Sequence, residues 1–126
     1  MASSLKLKVS QGEDAEYIQA EIQALVDNKG WELIGDDTIR KKFHFKTYTK
    51  VLDFNNVVGV RCKSVDHHPV TTLKFSSATF EWTTHTPPGL SSKDTKMANY
   101  CEERASEIGQ VLPENAPSCK GSKAKA

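Results

Sequence analysis

The apolar residues of this chain switch from helical to strand spacing and back again, twice, and that alternation limits the folds open to it. Over residues 13–29, Tyr17 or Ile18, Ile22, Leu25 and Val26 recur at helical spacing. Ser10 is placed to cap this helix and Gly30 to stop it. Trp31-Glu32-Leu33-Ile34 is short and apolar, and Gly35-Asp36-Asp37 is turn chemistry. Ile39, Lys41, Phe43 and Phe45 then share one alternating face, so 31–45 reads as a hairpin. Lys41 interrupts that face and is expected at the strand edge, with its head group in solvent.

Thr47 opens a second helix over about 48–64, with Tyr48, Val51, Leu52, Phe54 or Asn55, Val58 and Cys62 on one stripe. Asn55, Asn56 and Gly59 are poor helix formers, so burial of the stripe must hold this helix. Residues 70–75 and 79–85, separated by Ser76-Ser77-Ala78, read as a second hairpin. Ser91 and Asp94 have capping-box spacing, with aspartate in the usual glutamate place. They start a third helix, to about Gly109, with Met97, Cys101, Ala105 and Ile108 inward. The expected fold class is α+β: a two-layer domain in the order α-β-β-α-β-β-α, with a four-stranded antiparallel sheet and helices on one face. Residues 10–110 make the domain, 1–9 an N-terminal arm and 111–126 a disordered tail.

Composition removes several function classes. A net charge of +1 gives no global field to gather nucleic acid or an anionic membrane. No apolar run approaches the ~20 residues that span a bilayer, and the first residues lack the apolar core of a secretory signal. Cys62, Cys101 and Cys119 are odd in number and form no C-x-x-C pair, which fits free thiols in the cytosol or nucleus.

The chemistry-bearing residues are histidines. His44 alternates outward between Phe43 and Phe45 and reads as a surface residue. His67 and His68, preceded by Asp66 and followed by Pro69, sit where a helix gives way to a strand. Antiparallel pairing across 76–78 brings the start of the first strand to the end of the second, and so places His85 near His67 and His68. Three imidazoles can bind zinc, but no H-x-H or H-x-x-x-H pair puts two ligands on one regular face, so no metal is expected. Ser64 lacks a nucleophile-elbow context, and phosphate-loop and dinucleotide motifs are absent. Proton transfer without a cofactor fits best: one imidazole accepts a proton while another, charged, donates one.

His67-His68-Pro69, an aromatic at Phe75, Thr84-His85, and Gly89-Leu90-Ser91 with Asp94 resemble the motif of the pterin-4a-carbinolamine dehydratases. Gly30-Trp31-Glu32-Leu33 and Phe43-x-Phe45-x-x-Tyr48 are similar to that family's first hairpin and the start of its second helix. The resemblance covers about residues 13–108. It implies a hydro-lyase that removes water from 4a-hydroxytetrahydrobiopterin to give quinonoid dihydropterin, in tetrahydrobiopterin recycling after aromatic amino-acid hydroxylation, with no metal or organic cofactor. By the same resemblance His67 and His85 are catalytic, and His68 binds and orients the pterin. Asp94 lies near the site, and Trp31 and Pro69 shape its wall. Asp66, next to His67 in sequence, is expected from that position to support an imidazole. Lys63 stands where an acidic residue is usual, Val70-Thr71 replaces a polar-plus-tryptophan pair, and Pro87-Pro88 occupies a more flexible loop. Homodimers or homotetramers are implied, with a hydroxylase or a homeodomain transcription factor as partner. The rival reading is a non-enzymatic coactivator or dimerisation adaptor of the same fold.

Overall fold

The computed structural model describes residues 4–117; residues 1–3 and 118–126, with Cys119, lie outside the described residues. Helix α1 spans Ala15–Lys29 and is capped by Asp14, whose Oδ1 accepts the N–H groups of Glu16 and Tyr17 at 3.1 and 3.2 Å. Ser10, expected in that role, is instead buried, and its hydroxyl donates to the Pro87 carbonyl at 2.7 Å. Gly30 ends the helix with φ at 78°, the left-handed conformation that a glycine adopts without a Cβ penalty.

Strands β1 (Glu32–Ile34) and β2 (Thr38–His44) form the first hairpin. Helix α2 (Tyr48–Val65) follows, its first turn held by the Thr47 hydroxyl accepting from Lys50 N–H. Strands β3 (Val70–Lys74) and β4 (Ser77–Trp82) form the second hairpin, around a tight turn at Phe75-Ser76, and helix α3 spans Ser92–Ile108. The sheet runs β1-β2-β4-β3, antiparallel throughout. This is the two-layer α+β arrangement expected from the sequence.

The inward sheet residues Ile39, Phe43, Ala78, Phe80 and Trp82 form one core with Ile18 and Ile22 of α1, Phe54 and Val58 of α2, and Met97 and Cys101 of α3. Phe54 is central, with ring centroids 4.9 Å from Phe43, 5.2 Å from Phe45 and 5.3 Å from Phe80. Offset and edge-on aromatic contacts of this kind add to simple area burial. Tyr17, Tyr48 and Leu52, drawn into the sequence stripes, are about half exposed, so the buried stripes are narrower than expected.

Lys41 is held mostly out of solvent. Its ammonium lies 2.6 Å from Glu102 Oε2 on α3 and 2.6 Å from the Lys29 carbonyl, above the Phe43 ring. The same Glu102 oxygen accepts the Trp31 indole N–H at 2.8 Å. Helix α3 crosses this end of the sheet and supplies the counter-charge, which no local sequence pattern could show. Residues 111–117, expected as part of a disordered tail, carry definite bonds. Val111 N–H donates to His44 O at 2.8 Å, and Ser76 Oγ donates to Pro117 O at 2.6 Å.

The N-terminal arm crosses the loop before α3. Leu90 N–H donates to Lys8 O and Ser10 N–H to Leu90 O, both at 2.8 Å. The arm passes so close that a Cβ on Gly89, where φ is 130°, would lie 2.7 Å from the Ser10 nitrogen. Gly89→Ala is therefore expected to lower stability by roughly 2 kcal/mol, combining backbone strain with displacement of the arm. Urea unfolding checks this, and an unchanged midpoint contradicts it.

Candidate active site

The site begins at the end of α2. Asp66 closes the helix with φ at 55°, and the N–H groups of Asp66 and His67 both reach the Cys62 carbonyl. A non-glycine residue in this region is uncommon, and aspartate is among those that tolerate it. The reversal turns His67 inward and leaves Asp66, His68 and Lys63 exposed. Lys63, in the last turn, complements the negative end of the helix dipole. Pro69 is half-buried just ahead of β3.

His67 is only 8% exposed. Its ring stacks on Trp82, with centroids 5.7 Å apart and planes 21° from parallel. Its Nε2 is 2.6 Å from Asp94 Oδ1. Asp94 is fully buried, and its other oxygen accepts the Thr84 hydroxyl at 2.8 Å and the Ser91 N–H at 3.0 Å. Thr84 and Ser91 hydroxyls are themselves 2.6 Å apart. Asp94 is thus both the capping-box residue of α3 and the partner of His67. The helix N-terminus and the two neutral donors meet Asp94 at its second oxygen, while the first faces His67.

With a carboxylate on Nε2, that nitrogen carries hydrogen and Nδ1 is left to take or give a proton. Among the described residues nothing else bonds the imidazole. A ring held by stacking on one side and by a buried carboxylate on another is fixed in orientation, which proton transfer requires.

His85 is placed differently from the expectation. The strand expected over 79–85 breaks at Thr83, and Thr84–His85 pairs instead with Pro88–Gly89 in a small separate ladder, strands β5 and β6. Thr84 turns its hydroxyl in to Asp94, while His85, the next residue, is exposed. Extending the β3–β4 register beyond Val70↔Glu81 sets His67 opposite Thr84, so the two histidine segments do meet. They meet through Asp94, and no imidazole touches another among the described residues.

Two expected roles are corrected by these positions. Trp31 is 2% exposed, sits edge-on to Phe43 and is bonded to Glu102, so it belongs to the core and cannot form a wall of the histidine site. Asp66 is a helix terminator, and the carboxylate that orients an imidazole is Asp94. Thr84, Ser91 and Trp82 complete the site. The sequence signal for the first two was the Ser91-x-x-Asp94 capping box and the dipeptide Thr84-His85, but neither reveals that they share one carboxylate.

The family model described as pterin 4 alpha carbinolamine dehydratase matches residues 15–104, which include every residue of this network. The chain belongs to the pterin-4-alpha-carbinolamine dehydratase family. A Nitrosospira multiformis protein that carries the family name provisionally is 42% identical over 65 residues, covering 52% of this chain. The match spans 57% of that relative's length. Among solved structures, a transcriptional coactivator/pterin dehydratase from Brucella melitensis superposes with a TM-score of 0.62 at 26% identity, covering 67% of this chain and 90% of its own. A pterin dehydratase-like protein described as a RuBisCO assembly factor in the alpha-carboxysome shares the fold, with a TM-score of 0.53 at 16% identity, covering 60% of this chain and 88% of its own. Pterin dehydratase folds thus include proteins described by different activities.

Proposed function

We propose that this family member is a hydro-lyase that dehydrates a 4a-hydroxytetrahydropterin to quinonoid dihydropterin, within tetrahydrobiopterin recycling. The observation that carries the reading is the buried His67–Asp94 pair, 2.6 Å apart, in a chain of this family. The reaction removes a proton from pterin N5 and expels the 4a-hydroxyl as water, which needs a second proton. Electrons move only within the substrate, so the chemistry asks for a base, an acid and a shaped pocket. His67, oriented by Asp94, and His85, on the adjoining ladder, take these two proton roles. His68 and Pro69 bind and orient the pterin between them, with Asp94 fixing His67 from beneath.

The test is the rate of loss of synthetic 4a-hydroxytetrahydropterin with purified, chelator-treated protein. Acceleration that persists after chelation supports the reading; a well-folded protein without acceleration rejects it. Asp94→Asn is expected to reduce turnover about tenfold or more, because an amide in place of the carboxylate cannot accept from all three donors. The same variant is expected to lose about 1 kcal/mol of stability as the α3 cap weakens.

A second reading has its own observation. Tyr48 and Leu52 lie one turn apart on α2 and are 46% and 42% exposed. Apolar residues so placed suit a protein partner or a second copy of the chain, as in a homodimer or homotetramer, a hydroxylase complex or a coactivator. Inactive protein with a stable oligomer or partner complex would favour this reading. Buried free thiols at Cys62 and Cys101 fit a cytosolic or nuclear site of action.

A further inference from the structure

The face of the sheet turned away from the helices carries a charge pattern that the histidine site does not use. Its residues fall in three rows: Arg40, Glu81 and Val70; Lys42, Thr79 and Thr72; His44, Ser77 and Lys74. The carboxylates belong to the first row, where Arg40 pairs with Glu32 at 3.2 Å. Lys42 and Lys74 form no ion pair among the described residues.

A cleft of about 250 Å³ opens at the third row, lined by Lys42, His44, Lys74, Phe75, Ser77 and Pro117 among others, with no carboxylate in its lining. Its wall is held by the Ser76 hydroxyl bond to Pro117. Ser77 lines this cleft; the residue is 3% exposed, and its hydroxyl makes no hydrogen bond among the described residues but is not sealed from solvent. A hydroxyl without a protein partner that opens to the cleft is free to donate to a group entering from outside. Burial, then the charge of Lys42, hold the His44 pKa below its usual value, so its ring is neutral at pH 7 and can still offer one N–H. Like charges gathered on one patch repel unless an anion joins them.

We propose that this cleft binds the phosphate group of a small phosphate ester, through the Lys42 and Lys74 ammoniums and the Ser77 and His44 donors. Two ammoniums and two neutral donors lining one cleft suit a tetrahedral dianion better than a planar carboxylate. The cleft volume equals that of roughly eight waters, leaving room beside the phosphate for a small organic group against Phe75 and Pro117. Beyond Pro117 the sequence adds Lys120, Lys123 and Lys125 and no acidic residue. Ser77 and Trp82 are opposite ends of β4, about 17 Å apart at strand rise, so this site is separate from the His67 network and stands whether or not the dehydratase reading does.

The test is an NMR titration of the full chain with inorganic phosphate, with O-phosphoserine, and with chloride at matched ionic strength. Saturating shifts at the amides of His44, Lys74 and Ser77 with both phosphates, absent with chloride, are expected. O-phosphoserine should bind at least as tightly as inorganic phosphate. The Lys42→Gln/Lys74→Gln variant should weaken binding about tenfold, and Ser77→Ala several-fold. Both lysines are exposed, so the double variant keeps its fold. Shifts that never saturate, or saturable binding unchanged in the double variant, overturn the proposal. O-phosphoserine binding more weakly than inorganic phosphate overturns the ester assignment.

Discussion

Replacing His67 by alanine is expected to slow dehydration of a 4a-hydroxytetrahydropterin by about 10²–10⁴-fold, the range for loss of a positioned acid–base group. The effect should fall on kcat more than on KM, because the imidazole acts on a proton in flight rather than on the ground-state pterin. His85→Ala is expected to produce a loss of the same kind, and His68→Ala mainly a rise in KM. Steady-state kinetics on the three variants separates these roles. If His67→Ala and His85→Ala both keep wild-type turnover, the assignment of proton transfer to these two residues fails. His67 also stacks on Trp82, so alanine leaves a gap against the core. His67→Gln, which fills more of that space without a titrating ring, is the control that separates lost chemistry from lost packing.

Glu102→Ala is expected to destabilise the protein by about 3 kcal/mol, the low end of what removing one partner of a buried ion pair costs. The Lys41 and Glu102 side chains are 15% and 12% exposed, and the carboxylate also accepts the Trp31 indole N–H. Truncating it leaves the ammonium without its counter-charge, bonded only to the Lys29 carbonyl, and the indole donor without its partner, beside Phe43. Lys41→Met with Glu102→Leu should recover much of that loss, since an apolar pair of similar size leaves no buried charge. Urea unfolding of the single and double variants decides it. A Glu102→Ala protein as stable as the parent would mean that Lys41 reaches water by another route.

The histidine network shows how much of a site can be read from order alone. The histidines proposed to carry protons stand out as residue types, because few histidines occur and two of them directly precede a proline. Their geometry does not stand out. His67 and Asp94 are 27 residues apart, and Asp94 has a sufficient local reason to be where it is, as the cap of α3. Local logic therefore explains the aspartate completely and hides its second role. The error at Asp66 has the same origin: a carboxylate beside a histidine in sequence suggests orientation, while the left-handed turn it occupies sends it to solvent.

The periodicity of apolar residues determined the helices, the hairpins, their order and the two-layer class, because each depends on neighbours within a turn or across a tight loop. Gly30, Thr47 and Ser91 set element ends for the same local reason. Tertiary structure alone decided what meets across the layers. It gave Lys41 a counter-charge 61 residues away and buried Trp31 in the core. It broke the expected strand at Thr83 and joined the two histidine segments through one buried carboxylate. Burial and charge pairing are properties of position in space, and a pattern of spacing along a chain carries neither.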